Sequence, residues 1–157
     1  MKPSVYLETT IIGYLASRAS RDLVTAANQQ ITHDWWHRRR ESYDLYVSDF
    51  VIVECTAGDP TAAQERLAFL GGVAQLDVTD EVDILAEELL KQLPLPERAA
   101  LDASHIAVAT VHGVDYLLTW NCTHLANAAL RHRIERVCRS LGYETPAICT
   151  PQELMET

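Results

Sequence analysis

No apolar run in this sequence approaches the length of a membrane span, because Asp, Glu, Arg or His interrupts each one. The opening "MKPSVYLETT" lacks the long apolar segment and small-residue cleavage site of a secretory signal. The expected location is therefore the cytoplasm, away from any membrane. Cysteines are sparse: Cys55, Cys122, Cys138 and Cys149 form no CxxC pair, so reduced thiols are expected rather than disulfides. Basic residues are also in short supply. Thirteen Lys and Arg against 22 Asp and Glu give a formal net charge of −9, which argues against nonspecific coating of nucleic acid by a basic surface. Nucleic acid remains open as a substrate, since carboxylates can gather around a cation and basic residues can cluster locally. There is no internal repeat and no low-complexity linker.

What is present fits one globular domain over residues 1–157, with 48% hydrophobic and 22% charged residues. Strand-like and helix-like stretches alternate. "SVYL" (4–7) reads as a strand, and a helix opens directly from Glu8 to about Ser17. A long helix is expected over Arg21–Glu41 with Ser20 as N-cap. "LYVS" (45–48) is a second strand running into a helix at "DFVIVEC". Asp59 and Pro60 begin the next helix, "VAQLDV" (73–78) is a third strand, and Thr79 caps an acidic helix that stops before "LPLP". A helix over 97–112 ends at Gly113, and "DYLLTW" (115–120) forms strand four. The last helix is expected from about Thr123 to Leu141, followed by "AICT" and a capping-box spacing at Thr150 and Glu153. Strands separated by helices predict an α/β fold of three layers, a parallel sheet covered on both faces. Ligands in such folds collect beyond the carboxyl ends of the strands.

Three carboxylates stand out by position. Glu8 directly follows the first strand, where it can also serve the helix it opens. Glu54 lies among Phe50, Val51, Ile52 and Val53, where an anion is costly without a partner, unless it faces solvent. Asp102 sits in "AALDASHIAVATVHG", a stretch so apolar that it reads as an inner helix, and its carboxylate needs a hydrogen-bonded partner or a metal. His105, three residues on, shares its face and could orient Asp102, touch substrate or be a hydrogen-bonded core residue. An oxygen-rich cluster of this kind suits Mg²⁺ or Mn²⁺ and phosphate substrates.

Four ordered stretches, "VYLETTII", "YVSDFVIVE", "LDASHIAVA" and "DYLLTWN", resemble the PIN domain, the fold of many VapC-type toxin ribonucleases of toxin–antitoxin pairs. The resemblance spans residues 5 to 121 and implies a sheet of order 3-2-1-4-5. It implies divalent-metal-dependent RNA cleavage leaving 3′-hydroxyl and 5′-phosphate ends, a small antitoxin protein as partner and, often, a homodimer. Glu8, Glu54, Asp102 and Asn121 align with the family's acidic positions and are the implied catalytic and metal-binding set. Glu8 stands where Asp is commoner, and Asn121 where a fourth acid is usual. An amide oxygen can still ligate a hard cation or anchor its water. Variants pairing "YLETT" with "TWN…H…N" occur within the resemblance, which brings His124 and Asn127 into the expected surroundings. Thr9 and Thr119 could hold water or phosphate through their hydroxyls, or cap helices.

Other readings compete. The loss of charge at Asn121 favours a catalytically weak PIN-like module that binds RNA or a protein. A small-molecule α/β binder is disfavoured, because no glycine-rich phosphate loop follows strand one. Cys122, His124, His132 and Cys138 match no common zinc spacing and would be strung along one helix. "WWHRRR" (35–40) and "RHRIERVCR" (131–139) suit phosphate contact and base stacking, or are solvated helix faces.

Overall fold

Strand β1, Ser4–Leu7, is buried on both faces, with Val5, Tyr6 and Leu7 fully inaccessible. Consecutive apolar residues, rather than alternating ones, are what a central parallel strand requires. β1 pairs in parallel with β2 (Asp44–Ser48) on one side and with β4 (Tyr116–Leu118) on the other. β3 (Ala74–Leu76) and β5 (Ala147–Cys149) complete a five-stranded sheet of order 3-2-1-4-5, as expected. Tyr6 faces Tyr46 and Leu117 across the two central ladders. Among the described residues, seven α-helices connect and cover the strands: α1 Thr9–Ala16, α2 Leu23–Arg39, α3 Asp49–Thr56, α4 Pro60–Ala68, α5 Asp80–Gln92, α6 Ala100–Val111 and α7 Ala128–Ser140. This computed structural model describes residues 1–155; the last two positions of the expected domain, Glu156 and Thr157, lie outside the described residues.

Local chemistry sets the helix ends. Asp59 and Thr79 cap α4 and α5 as expected, accepting from Ala62 N and Val82 N. α2 departs from expectation. Its cap is Asp22, which accepts from Thr25 N at 2.9 Å, whereas Ser20 Oγ accepts from Asp22 N one step earlier. α2 also stops at Arg39, and a 3-10 turn covers Arg40–Ser42. α7 starts five residues later than expected, because Asn121 Oδ1 accepts from the backbone N–H groups of Thr123 and His124 and so folds a turn there. Asn127 then caps α7, accepting from Ala129 N at 2.9 Å. Thr150 and Glu153 make half of a capping box, Thr150 N donating to Glu153 Oε1, but only a turn follows.

The core runs beneath both helix layers. α6 is buried continuously from His105 to Thr110, and its alanines let it approach α5 closely. Trp35 and Trp36 pack into the core, with Arg40 lying 4.6 Å over the Trp36 ring, so this tryptophan pair is structural. The four cysteines are all free thiols. No helix among the described residues is long and apolar enough to cross a membrane.

Candidate active site at the carboxyl ends of the strands

Strand order reverses around β1, and β1, β2 and β4 end together at the crevice this creates. Glu8 leaves β1 at that edge with only 4% of its surface exposed. Its Oε1 accepts from Thr119 Oγ1 at 2.6 Å, from the Thr10 hydroxyl and from Thr10 N at 3.2 Å. The last bond makes Glu8 the N-cap of α1. Thr119, fully buried at the end of β4, also accepts from Asn121 N at 2.9 Å.

Glu54, near the end of α3, turns inward to the same place. Its Oε1 accepts from Thr9 Oγ1 at 2.7 Å and from His105 Nε2 at 2.7 Å. An ionised carboxylate only accepts, so Nε2 carries the ring proton. Nδ1 of His105 lies 2.7 Å from the Tyr6 hydroxyl, which is itself 2.7 Å from Ser48 Oγ. The result is a buried relay, Ser48–Tyr6–His105–Glu54–Thr9, crossing from β2 through β1 and α6 to α3 and α1. Burial raises the Tyr6 pKa far above that of an ordinary phenol, overriding the opposing Ser48 bond, and Glu8 and Glu54 add smaller upward pushes, so this hydroxyl stays protonated. Burial is also the largest influence on Glu54 and pushes its carboxyl up, but hydrogen bonds from His105 and Thr9 and the His105 charge hold it below its ordinary value of 4.5.

One ligand atom from each of Glu8, Glu54 and His105 lies within 4.8 Å of the others. Asp102 stands outside this group. Its Oδ2 is 2.8 Å from His124 Nδ1, and its Oδ1 accepts from Asn121 Nδ2 at 3.2 Å. His105, on the same face of α6, reaches Glu54 and not Asp102. The expected metal set is thus delivered in two clusters, Glu8 with Glu54 and Asp102 with Asn121. Asn121 meets Asp102 through its nitrogen, while its oxygen is occupied by two backbone donors. Thr9 and Thr119 spend their hydroxyl protons on the glutamates. Asn127 caps α7, donates to Thr123 O and makes no hydrogen bond to a site carboxylate. Sequence reasoning overlooked Tyr6, Ser48 and Thr10. A polar-tipped aromatic two residues before Glu8, on the same face of the strand, was the available signal.

The donor set fits a divalent cation. Glu8 and Glu54 each have one oxygen fixed by protein donors, while Oε2 of each has no protein hydrogen-bond partner among the described residues. No Lys or Arg among the described residues pairs with Glu8, Glu54 or Asp102. Buried carboxylates this close repel one another unless a cation sits between them.

The Glu54 shift has a consequence for acid stability. Its native carboxyl titrates below 4.5, so near that pH the native state binds fewer protons than the unfolded chain. The stabilisation is complete above the unfolded value and is lost as pH falls through the lower native one. Urea midpoints measured from about pH 6 down to about pH 3 are expected to drop more steeply for the wild type than for Glu54→Gln. Parallel slopes would show that Glu54 is not held as described.

A parallel α/β sheet with acidic side chains gathered at its switch point is the class of protein these features define. Within that class the chain belongs to the PIN domain family, whose pattern matches residues 5–121. Two solved structures share its fold. The VapBC2 complex from Rickettsia felis, bound to a DNA fragment from its promoter, is 15% identical with a TM-score of 0.59, covering 93% of this chain and 97% of that one. VapC20 of Mycobacterium tuberculosis, a toxin that cleaves the sarcin-ricin loop, is 17% identical with a TM-score of 0.59, covering 91% and 100%. No curated protein matches the chain in sequence.

Proposed function

We propose that the chain is a Mg²⁺- or Mn²⁺-dependent endoribonuclease, acting as the toxin of a toxin–antitoxin pair. The observation that carries this reading is the pairing of Glu8 with Glu54 within 4.8 Å at the sheet edge, each with an oxygen left over and neither neutralised by Lys or Arg. Glu8, Glu54 and Asp102 would hold the ion, and it would supply Lewis-acid charge at the phosphodiester and a water acidic enough to act as nucleophile. The protein's own part is positioning. Thr119 and Thr10 fix one Glu8 oxygen, Thr9 and His105 fix one Glu54 oxygen, and Asn121 with His124 fixes both oxygens of Asp102. Each acid therefore keeps its orientation in the absence of substrate, which lowers the reorganisation needed at reaction. A small antitoxin protein and a second copy of the chain are the partners this reading implies.

Asp102 also gives the second reading its support. With both oxygens engaged by protein donors, it can serve as a structural acid in a module that binds RNA or protein without cleaving it. RNA cleavage assayed with added Mn²⁺, with chelator and with Asp102→Ala separates the two. Metal-dependent cleavage lost in the variant supports the nuclease. Equal residual activity in wild type and Asp102→Ala would leave the binding module as the better description.

A further inference from the structure

A groove of about 610 Å³ opens from Glu8 and Glu54 and runs along α1 toward the start of α2. Its size falls within the range of ligand pockets. Two features of its lining suit a nucleotide. Tyr14, on the turn of α1 after Thr10, stacks on Trp120 with centroids 6.1 Å apart and planes inclined by 28°. Trp120 is itself fixed, its backbone N–H donating to Thr10 Oγ1 at 2.9 Å and its indole N–H to Thr32 Oγ1 at 2.7 Å. Arg18, four residues beyond Tyr14, is exposed and forms no ion pair among the described residues. It is the one cationic side chain among the lining residues.

The segment that carries Arg18 is pinned from below. Gln29 of α2, only 8% exposed, donates to Ser17 Oγ at 2.8 Å and to Arg18 O at 3.0 Å, and accepts from Ser20 N at 2.9 Å. The groove is therefore preformed rather than assembled by its occupant. Gly13 keeps it open: a Cβ added there meets no atom within 4 Å.

We propose that this groove is the subsite for the nucleotide flanking the scissile phosphate in single-stranded RNA. Its base stacks against Tyr14, and its phosphate pairs with Arg18. Aromatic side chains bind bases with little regard to sequence, and a guanidinium beside them takes the backbone charge. Arg18 lines the same groove as Glu8 and Glu54 without pairing with either, so one phosphate lies at the acids while the next meets Arg18. The inference rests on the nuclease reading of the Glu8–Glu54 site and extends it to substrate.

The test uses the full chain with Mn²⁺, a fluorescently labelled mixed-sequence single-stranded RNA 12-mer read by anisotropy, and calorimetric titration of Mn²⁺ alone. Tyr14→Ala is expected to weaken RNA binding roughly 5- to 150-fold, the range for losing one stacked base. Tyr14→Phe should restore it. Arg18→Glu should weaken binding and reduce the salt slope by about 0.7 for the lost phosphate contact. Gly13→Leu fills the groove from a position where the side chain has room, so it should keep the melting temperature and lose RNA affinity. All these variants should bind Mn²⁺ as the wild type does. RNA binding unchanged in Tyr14→Ala, Arg18→Glu and Gly13→Leu overturns the subsite, whatever those variants do to a protein partner. Absence of Mn²⁺ binding in the wild type would instead remove the nuclease reading, and the anisotropy series would still decide whether RNA occupies the groove.

Discussion

Replacing His105 by alanine is expected to lower the free energy of unfolding by about 3–5 kcal/mol, the range for breaking a buried pair by removing one partner. The ring is inaccessible to solvent and satisfies two neighbours at once, Glu54 Oε1 and the Tyr6 hydroxyl, each at 2.7 Å. Truncation leaves a cavity, a half-buried carboxylate short of a donor and a buried phenol with one partner fewer. For a chain of this size the loss corresponds to a fall in melting temperature of about 2–4 °C for each kcal/mol. His105→Gln supplies an informative comparison, because its amide can replace the donor to Glu54 but not the contact with Tyr6. It should recover part of the loss. A deficit below about 1 kcal/mol for His105→Ala, measured by urea unfolding, would mean that the relay is not a unit.

The second large effect concerns Asn121→Asp, where the expected sign depends on the cation. Without metal, the change replaces an amide donor 3.2 Å from Asp102 Oδ1 with another anion beside a carboxylate whose side chain is only 18% exposed. Repulsion and the lost hydrogen bond together should destabilise the metal-free protein by about 1–3 kcal/mol. Saturating Mn²⁺ should erase that deficit or reverse it, because a cation converts the repulsion into coordination. Thermal unfolding of both variants with and without Mn²⁺ gives all four values. An unchanged metal-free protein would show that the Asn121–Asp102 bond contributes nothing, and an unchanged Mn²⁺ response would place the introduced carboxylate beyond the ion's reach.

The fold was largely readable, because its determinants are periodic and local. The both-sides-buried run "VYL", the small and apolar helix "ASHIAVA" and the strong caps Asp59 and Thr79 each state their environment in residue type alone. The placement of Glu8 at a strand end, and the sheltered positions of Glu54 and Asp102 in apolar sequence, were readable for a related reason. The partners that differed from expectation fell where one polar residue could choose between neighbours. Ser20 and Asp22 both make plausible caps, and only the approach of Thr25 N decides for Asp22. Asn121 was expected to offer oxygen to a metal, yet its oxygen folds the local turn and its nitrogen faces Asp102. His105 is the hydrogen-bonded core residue that was one of its expected roles, but packing of α6 against α3 and β1 makes Glu54 and Tyr6 its partners rather than Asp102 on its own helix face. Spacing along one helix identifies residues that share a face. It does not reveal which element stands opposite.

The hydrogen bond from Thr119 to Glu8 closes a loop of 111 residues, and β1 enters its ladder with β4 over a similar separation. Such long-range closure costs more chain entropy than forming the local helices or the β1–β2 ladder. During synthesis, the N-terminal half can therefore collapse on the ribosome while Glu8 still lacks its anchor and Asp102 and Asn121 have yet to emerge. The edge that gathers Glu8, Glu54, Asp102 and Asn121 cannot be complete before the chain has been made as far as Asn121. The site is thus assembled only through contacts that join the two ends of the sheet's central ladder.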